Sequence, residues 1–178
     1  MSDSDRILIV GGGPVGSLTG LRLAQQGIPV TVFDRLAKPA EDHRAATLQP
    51  STLDLFAPLG LTDALVAQGL KSTLFQWRDR ETHEVVAEFD YGYLKDDTAF
   101  PFVIQLEQHK TVYTVLAAAA KLPEFNLIRP VDVTEVRQGP DWVEASVMRE
   151  DGTREVHRGR WMIGCDGGRS VVRKSMDV

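Results

Sequence analysis

Ile7-Leu8-Ile9-Val10-Gly11-Gly12-Gly13-Pro14-Val15-Gly16 opens as an apolar run and closes as a glycine turn. A short, wholly apolar run such as Ile7 to Val10 has the pattern of a strand buried on both faces of a parallel sheet. Gly11, Gly13 and Gly16 then form G-x-G-x-x-G. A helix is expected from there to about Gln26, with Gly27 in the place of a helix C-terminal glycine. Val30-Thr31-Val32-Phe33 reads as a second strand that ends on Asp34.

Each residue type in this unit has a mechanical reason. Gly11 permits the sharp turn out of the strand, Gly13 lets a pyrophosphate approach the backbone, and Gly16 lets the helix pack close to the sheet. Gly20 and Ala24 continue the small-residue face. Pro14 suits a first helical turn, where its missing N–H costs nothing. The free N–H groups and positive end of the helix then receive phosphates. An acid about 20 residues past the turn, here Asp34, is placed to bind ribose hydroxyls. A lone glycine motif is a weak signal. Strand, turn, helix, strand and acid in this order supply the context that dinucleotide binding requires.

The remaining composition narrows the class. The 178 residues suffice for one domain of ordinary size, and 43% hydrophobic with 25% charged residues fits a globular core. A net charge of −5 without a long basic run argues against nucleic acid as a partner. The polar, acidic start Met1 to Arg6 is unlike a signal peptide, and no apolar run approaches a membrane span. The single Cys165 excludes an intramolecular disulfide and fits a reducing compartment, so a cytoplasmic location is expected.

After Asp34 the chain reads as a polar loop from Arg35 to Ala46, then one or two short helices over Pro50 to Gln68 with a break at Pro58 or Gly60. Leu74 to Arg78 and Val85 to Phe89 flank a polar turn and form a β-hairpin. Phe102 to Ile104 is a short strand ending on Gln105, and Glu107 to Lys121 is a helix stopped by Pro123. The last third is strand-rich: Asn126 to Ile128, Val131 to Val136, Trp142 to Met148, an Asp151-Gly152 turn, a return strand over Arg154 to Arg160 and a buried-type strand to Cys165. On Trp142 to Met148 the residues Val143, Ala145 and Val147 share one face.

A second constellation follows at Asp166-Gly167-Gly168-Arg169-Ser170. Asp-Gly alone suits a plain hairpin turn. Here Ser170 and Val171-Val172-Arg173-Lys174 read instead as a helix N-cap and first turn. An acid at the carboxyl end of a strand, before a helix, is where α/β sheets place ligand-binding groups. His43, His83, His109 and His157 are scattered without metal-ligand spacing and are read as surface residues, so no metal site is expected. Cys165 is read as a small buried residue.

These stretches, with Asp34-Arg35, Arg44-Ala45 and Gln105-Leu106-Glu107, resemble the single-component FAD-dependent aromatic-ring monooxygenases. Within that para-hydroxybenzoate hydroxylase-like family the likeness is greatest to the phenol and hydroxyphenylpropionate hydroxylases. It covers the whole chain. It implies an α/β fold: a Rossmann-like FAD-binding parallel sheet, an antiparallel β-meander over about 131–160, and the start of a substrate-side β region at about 73–104. The cofactor implied is FAD, with NADH or NADPH as transient reductant, and the partners are a small aromatic substrate and oxygen. A flavin hydroperoxide would hydroxylate the ring, with the protein orienting and shielding the flavin. Self-association into a homo-oligomer is left open.

The resemblance also implies residue roles. Gly11, Gly13, Val15 and Gly16 would cradle the FAD pyrophosphate, Asp34 hold the adenosine ribose and Arg35 lie over the adenine. Arg44 and Gln105 would contact the pyrophosphate and ribityl region, and the Val133 backbone the adenine edge. Asp166 would support the flavin site and the passage of the nicotinamide nucleotide. The catalytic residues stay unassigned. The family's later Gly-Asp motif has no counterpart in this sequence. The chain therefore matches the N-terminal portion of such a hydroxylase, and it is expected to be inactive alone. The rival readings are another FAD oxidoreductase on the same scaffold, a halogenase or a reductase, and a nucleotide-binding module that does not turn over. No Trp-x-Trp-x-Ile halogenase motif surrounds Trp77, Trp142 or Trp161.

Overall fold

A computed structural model describes residues 5–41 and 45–176. The chain divides into two compact units, residues 1–41 with 115–178, and residues 42–114.

The first unit is built on four parallel strands in the order β12-β1-β2-β8. They are β1 (Ile7–Val10), β2 (Val30–Phe33), β8 (Phe125–Ile128) and β12 (Trp161–Gly164). Residues alternate across a strand, and both faces of β1 find apolar partners. Ile9 packs with Val30, Val32 and Ala24 of helix α1 (Pro14–Gln25). Leu8 and Val10 pack with Phe33 against a second, three-stranded antiparallel sheet. That sheet is β9 (Val131–Gly139), β10 (Trp142–Arg149) and β11 (Arg154–Gly159), with β10 in the middle. Val143, Ala145 and Val147 are its buried face, as the alternation of the sequence requires. The unit is thus layered as helix, parallel sheet and meander. Helix α5 (Val171–Ser175) adds Val172 to the core between the two sheets.

The small residues of α1 allow its close approach. A Cβ on Gly20 would stand 2.7 Å from the Phe125 ring and 3.0 Å from Val32. Gly27 closes the helix with φ of +76°, its N–H donating to the Ala24 carbonyl at 2.9 Å.

Several features depart from the sequence reading, among them His109, read as a surface residue but only partly exposed, with its Nδ1 buried. β12 lies at the sheet edge, so Trp161 is 63% exposed although the run reads as a buried strand. His157 is only partly exposed. It pairs in register with the small, fully buried Ala145, and its ring lies 5.0 Å from the Phe33 ring.

In the second unit, β7 (Val103–Gln105) runs antiparallel between β3 (Thr47–Leu48) and β4 (Leu70–Ser72). Helices α2 (Pro50–Phe56) and α3 (Thr62–Gln68) are separated at Gly60, whose φ is +70°. Leu53, Phe56, Leu65 and Ile104 are buried here. β5 (Leu74–Arg78) and β6 (Val85–Asp90) form the expected hairpin. The unit boundary falls within helix α4 (Gln108–Ala119). Among the described residues no helix is long and apolar enough to cross a membrane.

Candidate functional site

The parallel sheet brings three of the expected stretches to one end. The glycine turn follows β1, Asp34 follows β2 and Asp166 follows β12, and these three strands are neighbours. From β1 the sheet continues to β2 on one side and to β12 on the other. The first turn therefore sits where the strand order reverses, the place where open α/β sheets bind ligands.

The three motif glycines are not equivalent. Gly11 has φ of +101°, and an added Cβ would be driven into the Cys165 carbonyl group. A Cβ on Gly16 would collide with the Gly11 carbonyl oxygen. Both are glycine because the backbone is packed against them. Gly13 is different: it has ordinary extended dihedrals (φ −70°, ψ −169°), and a Cβ there would meet nothing within 4 Å. That open space lies at the start of α1, whose N-cap residue is Gly13 itself. No side chain caps the helix, and no acidic residue lies in its first turn. Unpaired N–H groups and the positive helix end thus face a space lined by backbone, which suits an anion. Val15, on this first turn, is 64% exposed. Ser17, which the sequence reading passed over, is fully buried beneath the turn and donates its hydroxyl to the Gly13 carbonyl at 2.8 Å. Its signal was a lone polar residue on the small, buried face of α1.

The Asp34 carboxylate is held at both oxygens. Gly12 N–H donates to Oδ2 at 2.6 Å, and Leu36 N–H donates to Oδ1 at 2.7 Å. Arg35 beside it is exposed. Val133 is buried on β9, an edge strand of the meander. That strand begins beside Asp34, where Val131 N–H donates to the Asp34 carbonyl at 2.9 Å.

Asp166 is turned toward α5. Its carboxylate accepts the Ser170 hydroxyl at 2.5 Å and the Val171 N–H at 2.6 Å. Ser170 in turn accepts the Arg173 N–H at 2.9 Å, and the Arg173 guanidinium donates to the Gly168 carbonyl at 2.9 Å. The Asp-Gly segment is thus a helix-capping clip, the helix start that the sequence indicated. Cys165 is half-buried. Burial, with the neighbouring Asp166 charge, pushes its thiol above the usual range and so disfavours the nucleophilic thiolate.

Gln105 belongs to the second unit. It is exposed at the end of β7, and its side-chain oxygen accepts the Thr47 hydroxyl at 2.9 Å. Arg44 lies outside the described residues. Among the described residues no three His, Cys, Asp or Glu side chains group to hold a metal ion.

Residues 5–178 match the family model described as FAD binding domain. The chain belongs to that family. FAD is therefore the cofactor of this domain, and the uncapped helix, the open face of Gly13 and the fixed acid fit its ADP half. The chain is 33% identical to 6-hydroxy-3-succinoylpyridine 3-monooxygenase of Pseudomonas putida over 176 residues, 99% of this chain and 44% of that protein. Its fold matches the crystal structure of p-nitrophenol 4-monooxygenase from Pseudomonas putida with a TM-score of 0.92 at 28% identity, over 99% of this chain and 44% of that one. Aklavinone-11 hydroxylase, solved with FAD and aklavinone, matches with a TM-score of 0.87 at 28% identity, over 99% of this chain and 36% of that one. This FAD-binding chain thus spans less than half the length of each of these relatives. The expected family and fold are borne out.

Proposed function

We propose that this chain is the FAD-binding part of an NADH- or NADPH-dependent monooxygenase that hydroxylates a small aromatic substrate. The carrying observation is the open backbone face of Gly13 at the uncapped start of α1. The relatives' names, monooxygenases of a substituted pyridine and of p-nitrophenol, support the reaction class. When bound, FAD supplies the redox chemistry, taking electrons from the nicotinamide nucleotide and passing them to oxygen so that one oxygen atom enters the ring.

The chain's own residues bind and orient. Gly11, Gly13, Val15 and Gly16 cradle the pyrophosphate. The Gly11 and Gly12 N–H groups already donate to Phe33 and Asp34, so the donors are the amides at the helix start, Val15 included. Asp34 accepts from the adenosine ribose hydroxyls, and an aspartate there disfavours a 2′-phosphate by charge repulsion. Arg35 lies over the adenine, whose edge meets the backbone of Val133. Asp166 acts through α5 and the Gly167 to Arg169 loop that it clips in place. Arg44 and Gln105 keep the pyrophosphate and ribityl roles that the resemblance gives them.

The β5–β6 hairpin is the start of the substrate-side region. It presents Phe75, Trp77 and Phe89, each 44% exposed or more, with Phe75 and Phe89 paired across the strands. Such aromatic exposure is suited to an apolar substrate.

Calorimetric titration of FAD and ADP tests the site. The unaltered chain binds both, and Gly13→Val binds neither, because its side chain occupies the pyrophosphate's place. Equal affinity in the two proteins would remove the basis of the assignment.

A further inference from the structure

Asp34 is positioned to do more than meet a ribose. We propose that Asp34 is a positioning residue that holds the glycine turn in its anion-accepting shape, which rests on the reading of Gly11 to Gly16 as the nucleotide cradle.

The acid itself cannot easily move. Besides its two carboxylate bonds to Gly12 and Leu36, its backbone N–H donates to the Ile128 carbonyl at 3.1 Å and its carbonyl accepts from Val131 at 2.9 Å. It is thereby fixed to β8 and to the start of β9. The turn it touches is the opposite case. Gly11, Gly12 and Gly13 have no side chains, and glycine loses the most backbone freedom on being ordered. The turn is anchored at its start by Gly11 N–H on the Phe33 carbonyl at 2.8 Å, and at its end by the Ser17 hydroxyl and N–H on the Gly13 carbonyl. Between these anchors, Gly12 is tied by its N–H to Asp34. Contact is close enough that a Cβ on Gly12 would stand 3.0 Å from the Asp34 Cβ and Oδ2.

A charge-assisted bond of this kind is among the stronger ones a backbone amide makes. Without the carboxylate, Gly12 and Leu36 lose their acceptors and the turn is free to leave the shape that aims its amides at the phosphates. Bracing and ribose binding are compatible, because an ionised carboxylate offers about four acceptor sites and the two backbone bonds use two. Asp34 therefore governs pyrophosphate affinity as well as ribose affinity.

A pair of ligands separates these effects. ADP and 2′,3′-dideoxy-ADP differ only in the ribose hydroxyls. Each is titrated by calorimetry into the unaltered chain, Asp34→Ala and Asp34→Asn. Amide hydrogen exchange of the ligand-free proteins is read by NMR, with Thr62→Val in the second unit as a control for lost stability elsewhere. Asp34→Ala is expected to weaken both nucleotides, each by about tenfold or more. It speeds exchange at Gly12 and Leu36 selectively, whereas Thr62→Val does not. Asp34→Asn, which keeps one acceptor oxygen, is intermediate. If Asp34→Ala lowers ADP affinity only to the dideoxy-ADP level and leaves dideoxy-ADP unchanged, Asp34 serves the ribose alone and the proposal is wrong. Unchanged exchange at Gly12 also overturns it. If the unaltered chain binds neither nucleotide, the cradle reading fails, and exchange at Gly12 still decides the brace.

Discussion

Gly11→Ala and Gly13→Ala, identical changes two residues apart, should have opposite consequences. At Gly11 the backbone has φ of +101° and the new methyl would enter the Cys165 carbonyl group. That carbonyl cannot retreat, since Cys165 N–H donates to the Val10 carbonyl at 2.7 Å and β12 is in register with β1. The left-handed backbone costs about 1–2 kcal/mol and overpacking about 1–3 kcal/mol, together roughly 2–5 kcal/mol. For a chain of this size that is a fall in melting temperature of roughly 4–20 °C. At Gly13 the dihedrals are open to any residue and compatible with the following Pro14. An N-cap alanine costs up to about 1 kcal/mol relative to better caps, while the reduced freedom of the unfolded chain returns about 0.4–1 kcal/mol. The two nearly cancel, so the melting temperature should stay within about 3 °C. Binding reverses the order: a methyl pressed against the pyrophosphate costs about 1–3 kcal/mol, or roughly five- to 150-fold in ADP affinity. Thermal unfolding by circular dichroism and ADP calorimetry on both variants read the two effects separately. Undiminished ADP affinity in Gly13→Ala, or a normal melting temperature in Gly11→Ala, would refute the division into a packed glycine and a ligand-facing one.

Three further outcomes follow from the same geometry. Ser170→Ala removes the acceptor of the Arg173 N–H and a donor to Asp166, and should cost about 1 kcal/mol, or roughly 2–4 °C on a melting curve; an unchanged curve would contradict the capping role. The nucleotide site should prefer ADP over 2′-phospho-ADP, and Asp34→Asn should narrow that preference; competition binding in which the 2′-phosphate makes no difference would count against Asp34 at the ribose. The Arg149 hydrogen bond holds the Glu155 carboxyl below its ordinary range, with His157 adding to the effect. Any stability it contributes is therefore present above the unfolded glutamate's value of about 4.3 and is lost as pH falls through the lower folded midpoint. An NMR titration should show that low midpoint, and Arg149→Met should raise it; a midpoint indifferent to Arg149 would exclude the pair as its cause.

The sequence resolves this fold best where a strand is buried on two faces. Ile7 to Val10 and Val30 to Phe33 read to the residue because every position in them is apolar or β-branched. The turn at Gly152 was legible as well, and the helix break was narrowed to Pro58 or Gly60; both glycines have positive φ. The strands Thr47–Leu48 and Leu70–Ser72 were not, since two or three residues carry no periodicity and exist as strands only through pairing with β7. Trp161 misled because edge position is a property of the sheet, invisible in a local run. At the site, spacing indicated Asp34 and Asp166 but not what they touch. The bond from Gly12 to Asp34 spans 22 residues. Asp166 spends its carboxylate on Ser170 and Val171, which only the geometry of the loop reveals.

A crystal structure of this chain grown with ADP tests the central claim most directly. The account predicts the pyrophosphate over the open face of Gly13 at the start of α1, with the ribose hydroxyls on the Asp34 carboxylate. A nucleotide bound away from the Gly11 to Gly16 turn would contradict it.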